Sequence, residues 1–308
     1  MTISLPRDLL RRSGAIFPGF GRKTLVLRAR FVAAGLRNRA AVQTLLGAPA
    51  GSELARIMAE RPQMLGVLVW PYQCAAWEAP ERLRRLIAHY RETGRLGAPF
   101  LFSTAEQLVL GRVGSGSTET VFVLDQPGWF MREGGLVLNL VLGNFRAFSL
   151  AFSLDEVPGV GRVATIGGLQ GRNRDGVLDI YRDLTKEMEG LRPRDLLIEV
   201  FRMLCRQMGV VRIEAVADAW RHHRHPFFSG KALTQTQDYD EVWADRGGER
   251  IGETLFRLPV APDRRDLETV KPNKRPMYRR RFALLDAIEA DLAAALPGLH
   301  PEPAPVLE

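Results

Sequence analysis

Three groups of side chains in this chain have the types and spacing to do chemistry. The first is a glycine-marked turn, Ile166-Gly167-Gly168-Leu169-Gln170-Gly171, followed by Arg172 and Arg174. Glycine lets a backbone approach a ligand closely, and a nearby helix N-terminus offers free N–H groups to an anion. Arg192 and Arg194 flank Pro193 at the next helix start, so Arg172, Arg192 and Arg194 are candidates to hold the phosphates of a carrier molecule. Gln170, inside the turn, would contact the carrier's amide or an acceptor. The same residues equally suit a β-bulge with solvated arginines. No phosphate-loop or dinucleotide fingerprint is present.

The second group is His222, His223 and His225. No cysteine lies near them, and Arg221 and Arg224 would repel a cation, so a zinc centre is not expected. With Asp218 and Trp220 just before, the segment reads as a loop touching substrate, with His223 as the group that handles a proton. The third group is Lys271–Arg281, with six basic residues in eleven and no acid. Cations at a helix N-terminus oppose the macrodipole, so their placement points to an anionic partner, within the chain or outside it. Lys274 and Arg275 head that rim as phosphate-binding candidates; a solvated helix face is the plainer alternative.

The elements that must position these groups follow from pattern. Residues 1–110 read as mainly helical, with mixed apolar and arginine positions over Phe31–Leu46 and a helix over Ala79–Tyr90 opened by Pro80. Near Gly111 the texture changes to strand. Leu136–Leu142 is apolar at both parities, which requires cover on both faces, and Gly143-Asn144 turns it into Phe145–Leu154. Arg162–Gly171 follows, then helices over 175–189 and 193–208 and a strand over Val211–Ala217. A second hairpin is expected between Tyr239–Ala244 and Ile251–Leu258, with Gly247-Gly248 at its tip. A long amphipathic helix spans Asn273–Leu296, and residues 297–308 read as a frayed tail. The organisation predicted is a helical N-terminal region (1–110) and an α+β region (111–296).

Composition bounds the answer further. A 308-residue chain with 46% hydrophobic and 25% charged residues is globular and can bury a sizeable core. The formal net charge is +8 and only five residues are lysine, so arginine carries the positive excess that favours phosphates, nucleic acid or an acidic membrane face. Cys74 and Cys205 give no disulfide framework and no metal-ligand spacing. No run approaches the ~20 apolar residues of a membrane span, and no signal peptide is read, so the expected location is cytoplasmic.

His89-Tyr90, Leu150–Leu154, Ile166–Gly171, Arg192–Leu197 and Lys274–Asp286 together resemble the VirK/YbjX family of bacterial proteins of unknown function. That resemblance implies a Gram-negative cytoplasmic protein, in a family with members linked to virulence and to resistance against envelope-active peptides. It carries no established catalytic residues.

The order of strands 136–142, 145–154 and 162–169, helix 193–208 and strand 211–217 is also similar to the Gcn5-related N-acetyltransferase fold. In that fold a glycine-rich turn before the long helix holds the acyl-CoA pyrophosphate; here Glu189-Gly190-Leu191-Arg192-Pro193-Arg194 stands in its place. The expected fold is therefore α+β, a mixed and mostly antiparallel sheet flanked by helices, with an acetyltransferase-like core behind a helical N-terminal part. The expected function is transfer of an acyl or aminoacyl group from a phosphate-bearing carrier such as acyl-CoA or aminoacyl-tRNA. The alternative is a non-catalytic factor that binds an anionic surface, membrane or nucleic acid, through Lys271–Arg281.

Overall fold

The computed structural model describes residues 4–114, 119–228, 238–261 and 264–305. Five helices come first: α1 (Leu5–Ile16), α2 (Arg22–Arg37), α3 (Arg39–Leu46), α4 (Glu53–Glu60) and α5 (Ala79–Leu96). In α5, Pro80 stands where no intrahelical N–H is needed, and Leu83, Leu86, Ile87 and Tyr90 return at helical spacing to one buried stripe. These helices and the 3-10 segment Pro62–Leu68 form their own apolar core, from Leu9 and Phe31 to Trp70 and Tyr90.

A nine-stranded sheet follows. Strands β1 (Glu106–Val113), β2 (Thr120–Asp125), β3 (Leu136–Leu142), β4 (Phe145–Val157) and β5 (Gly161–Gly171) run as an antiparallel meander. Helices α6 (Val177–Glu187) and α7 (Pro193–Gln207) then carry the chain back to β6 (Arg212–Val216), which pairs parallel to β5. Beyond β6 lie α8 (Tyr239–Asp245), β7 (Glu249–Ile251), β8 (Leu255–Leu258) and α9 (Arg275–Ala295). The spatial order is β7-β8-β6-β5-β4-β3-β2-β1-β9, where β9 is Glu302–Pro303. That last pairing, with Glu106 and Gln107 of β1, ties down a segment the sequence predicts to fray.

Helices cover both faces, as the two-sided apolar β3 requires. Leu136, Leu138 and Leu140 join the main core with Leu150, Phe152 and the apolar side of α7, where Phe152 meets Phe201 edge-on. On the other face α5 lies along β4, and the His89 ring accepts a hydrogen bond from the Leu154 N–H through Nδ1 at 3.1 Å. Helix α7 ends at Met208-Gly209, where Gly209 takes φ +67°, a conformation that suits glycine.

One expectation is overturned. Tyr239–Ala244 is not a hairpin strand but lies in α8, and the hairpin is the shorter β7–β8. Asp238 caps the helix by accepting a hydrogen bond from the Asp240 N–H, and Tyr239, Val242 and Trp243 bury at a spacing of three and four. Gly247-Gly248 therefore closes the helix rather than turning a hairpin.

Candidate functional site

The parallel pair β5/β6 is hydrogen-bonded only from Val163↔Arg212 to Ile166↔Ala215. Just past it β5 bulges, because Ala151 pairs with Gly168 and Phe152 with Ile166, leaving Gly167 unmatched. The strands then part, and α8 satisfies the freed backbone. The Tyr239 hydroxyl accepts from the Leu169 N–H (2.6 Å) and donates to the Leu169 carbonyl (2.7 Å), while Trp243 Nε1 donates to the Val216 carbonyl (2.9 Å).

At this opening, on the face that α5 covers, sits Glu133, only 5% exposed. Its Oε1 accepts a 2.6 Å hydrogen bond from Gln170 Nε2 and lies 3.9 Å from His222 Nε2. The glycines make room for it. A Cβ on Gly168 would fall 1.7 Å from Glu133 Oε2, and one on Gly167 would fall 2.1 Å from the Glu133 carbonyl oxygen. The next two residues need the same freedom: a Cβ on Gly134 would meet the Phe152 backbone at 2.4 Å, and one on Gly135 the His89 ring at 2.0 Å. Two glycine pairs therefore let the Glu133 segment lie flat on β4 and β5.

Around the carboxyl, Gln73 donates from Nε2 to the Thr165 carbonyl (2.8 Å), while its own buried Oε1 has no hydrogen-bond partner among the described residues. Gln73 holds φ +56°, and its N–H donates to the Arg132 carbonyl. Arg132 faces the rings of Trp70, Phe227 and Phe228, and buried Arg221 stacks 3.6 Å from the centre of the Tyr239 ring. Asp218 receives Arg221, Arg224 and the Tyr239 N–H.

Burial sets the proton affinities here. It pushes the Glu133 carboxyl up to about 7, against the downward pull of Gln170 and Arg221. It pushes His222 down to about 3, helped by His223, Arg132 and Arg221, and His223 down to about 4, helped by Arg221 and Arg224. At neutral pH both imidazoles are uncharged and Glu133 is divided between its two forms. A carboxyl that exchanges a proton near pH 7 is suited to general acid–base work.

The sequence-predicted residues fall into two places. Gln170 binds Glu133, and His223 packs edge-on against His222 with ring centres 5.6 Å apart, so these two belong to the cluster. Arg192 and Arg194 stand at the start of α7, which packs on the opposite face of the sheet. Arg192 is exposed, and Arg194 pairs with Asp195 at 2.9 Å. Arg172 points its side chain into solvent at the end of β5. Lys274 is exposed, whereas Arg275 donates to the Val270 and Glu268 carbonyls at 3.0 Å. Arg280 pairs with Glu189, and Arg281 donates twice to the Glu189 carbonyl. Half of the basic run thus finds acceptors within the chain, backbone carbonyls for Arg275 and Arg281 and the Glu189 carboxylate for Arg280.

The sequence pattern singles out neither Glu133 nor Gln73, and it gives Arg221 and Tyr239 no part in a site. The available signal was the second glycine pair: Glu133-Gly134-Gly135 sits opposite Gly167-Gly168, and each pair marks a place where another part of the chain presses on backbone.

A family model described as a protein of unknown function, DUF535, matches residues 21–294. The chain belongs to that family. It is 27% identical over 248 residues to the uncharacterized protein YbjX of Escherichia coli (strain K12), covering 79% of this chain and 74% of that protein. Two uncharacterized proteins of Haemophilus influenzae are 32% and 30% identical over 127 residues, 41% of this chain and 41–42% of theirs. The VirK/YbjX resemblance is thereby shown. No solved structure matches. Among the described residues no helix is long and apolar enough to cross a membrane.

Proposed function

We propose that this DUF535 protein is a transferase that moves an acyl or aminoacyl group from a phosphate-bearing carrier to an amine, with Glu133 as the base. The carrying observation is the buried Glu133 carboxyl, bonded to Gln170 beside His222 where β5 and β6 part, with a proton affinity near neutrality. Glu133 takes a proton from the acceptor ammonium, and the freed amine attacks the carrier's acyl carbon. A C–N bond forms, the C–S bond of a thioester or the C–O bond of an aminoacyl ester breaks, and the leaving thiolate or alkoxide takes up a proton. His223, drawn down to about 4, is too weak a base to lead at neutral pH, so the proton-handling role expected of it passes to Glu133. Gln170 holds the carboxyl in place.

The strand order supports the same reading. Three antiparallel strands (β3, β4 and β5), the crossover helix α7 preceded by the extra helix α6, and a parallel strand that parts from its neighbour resemble the acetyltransferase-like order described above. Arg172, just past the end of β5, and Arg192 and Arg194, at the start of α7 on the sheet's other face, would receive the carrier's phosphates, with the acyl end passing through the opening between β5 and β6.

The test is transfer of label from acyl-CoA thioesters and from aminoacyl-tRNA to amine acceptors, together with carrier-induced thermal shifts. Glu133→Gln should abolish transfer and keep the shift. Transfer at the parent rate by that variant, or no shift with any carrier, would overturn the reading.

A second reading is binding of an anionic partner such as nucleic acid through the C-terminal helix, favoured by the exposed Lys271, Lys274 and Arg279. Its signature is salt-sensitive binding, lost when these three are neutralised, without transfer activity.

A further inference from the structure

Helix α2 packs on the rest of the chain through Phe31 and Gly35, the latter in contact with Leu9 of α1. The opposite face is exposed and has an unusual composition. Its nine exposed positions are Arg22, Lys23, Leu25, Val26, Ala29, Arg30, Ala33, Leu36 and Arg37. Five are apolar and four are basic, with no acid and no neutral polar side chain. At 100° per residue Leu25, Leu36, Ala29, Ala33 and Val26 form one continuous stripe, with Arg37, Arg30 and Lys23 along one flank and Arg22 within it.

None of the four cations has an ion pair or hydrogen bond among the described residues, and the sequence holds no acid between Asp8 and Glu53. The turn that leads into α2 presents Phe20, which is 85% exposed between Gly19 and Gly21. Of the ten large apolar side chains that stand exposed among the described residues, five (Leu10, Phe20, Leu25, Val26 and Leu36) lie in α1, α2 and the turn between them. Part of the stripe and the four cations line a groove of about 1330 Å³ whose other side includes Leu68, Val69 and Phe227, with Glu78 as its one acid.

We infer that the α1–α2 hairpin is a membrane-docking element whose partner is a bilayer of anionic phospholipid. Such a surface supplies the two complements this face lacks, apolar depth for the stripe and Phe20, and a layer of negative charge for the arginines at the same height. A second copy of the chain would set cation against cation. An acidic helix could match the charges, yet it offers Phe20 no apolar volume beyond the hairpin tip. The inference does not depend on the transfer reading, since neither Glu133, Gln170, His222 nor His223 belongs to it.

The experiment is cosedimentation of the full chain with vesicles of phosphatidylcholine alone and of phosphatidylcholine and phosphatidylglycerol in equal parts. Binding is expected to the mixed vesicles and not to the neutral ones, and to weaken with salt. At about fivefold per cation, Arg30→Gln with Arg37→Gln should lower the partition roughly 30-fold. Phe20→Ser should lower it by about tenfold. Neutralising Lys271, Lys274 and Arg279 instead should leave it unchanged. All these positions are exposed, so unchanged melting temperatures verify folding. Equal binding to both vesicle types, loss that follows the C-terminal residues rather than α2, or capture of an acidic helical peptide with no vesicle binding would each overturn the inference.

Discussion

Replacing Glu133 with glutamine should stabilise the protein at neutral pH while removing the proposed base. The carboxyl's affinity rises from an ordinary 4.5 to about 7 on folding. A proton therefore binds the folded state more tightly than the unfolded one, so this group favours folding least when it must be ionised. Below pH 4.5 the side chain is protonated in both states and costs nothing through this route. As pH climbs from 4.5 through 7 the penalty grows, and above 7 it is complete. At 1.36 kcal/mol per unit, the difference of two and a half units amounts to about 3 kcal/mol. Glutamine keeps an oxygen to accept from Gln170 Nε2 and carries no charge to bury. With an unfolding entropy of ~2.1 cal/mol/K per residue, 3 kcal/mol is a shift of about 5 °C for a chain of this length. Thermal melts of both proteins from pH 4 to 8 should coincide at the acid end and separate progressively to that value. A variant less stable than the parent at pH 7.5, or a separation independent of pH, would refute the assignment of a buried, proton-poised carboxyl. The combination of higher stability and lost transfer is the mark of a functional group held against its folding preference.

Other perturbations test the neighbouring contacts. Gly167→Ala drives a methyl to 2.1 Å from the Glu133 backbone carbonyl oxygen and should cost about 3 kcal/mol in urea unfolding. Gly111→Ala meets nothing within 4 Å and serves as the control, changing stability by less than about 1 kcal/mol. Tyr239→Phe removes the one hydroxyl that serves both the N–H and the carbonyl of Leu169, leaving two buried groups unpaired, for a loss of about 2–4 kcal/mol. Faster hydrogen exchange at the Leu169 amide would locate that loss. Buried His89, lowered to about 3 chiefly by desolvation, must stay neutral in the fold while the unfolded chain protonates it below 6.5. Stability should therefore fall as pH drops from 6.5, and His89→Gln should reduce that slope by up to about 1.4 kcal/mol per pH unit. An unchanged slope would show that His89 is charged in the folded state.

Much of the frame is legible in the sequence because local pattern and tertiary role agree there. Leu136–Leu142 reads as a strand covered on both sides and is one, and Pro193 opens α7 where a missing N–H is harmless. Even in β3, Asn139 interrupts the apolar run without breaking it, since Asp125, Arg146 and Ser149 satisfy its amide inside the sheet. Legibility fails where a short segment is decided by a distant partner. Tyr239–Ala244 has aromatic and β-branched residues enough for a strand, yet its capping aspartate and the unpaired backbone of Leu169 and Val216 favour a helix whose Tyr239 and Trp243 reach across.

The site shows the same limit more sharply. Glycines in Ile166–Gly171 announce that something lies against the strand but not what it is, and a phosphate, a cofactor and another stretch of the chain all leave the same mark. Here the object is Glu133, thirty-odd residues earlier and marked only by its own pair of glycines. Its consequence is specific. A ligand cannot occupy the space above Gly167 and Gly168 while Glu133 fills it, so the acyl end of a carrier held at Arg192 would have to reach the carboxyl beside His222 and Gln170. Substitutions that enlarge His222, such as His222→Trp, should therefore block transfer with carrier phosphates still bound, whereas substitutions at Arg192 should weaken binding without closing that approach. Measured binding lost on both substitutions alike would place the carrier elsewhere.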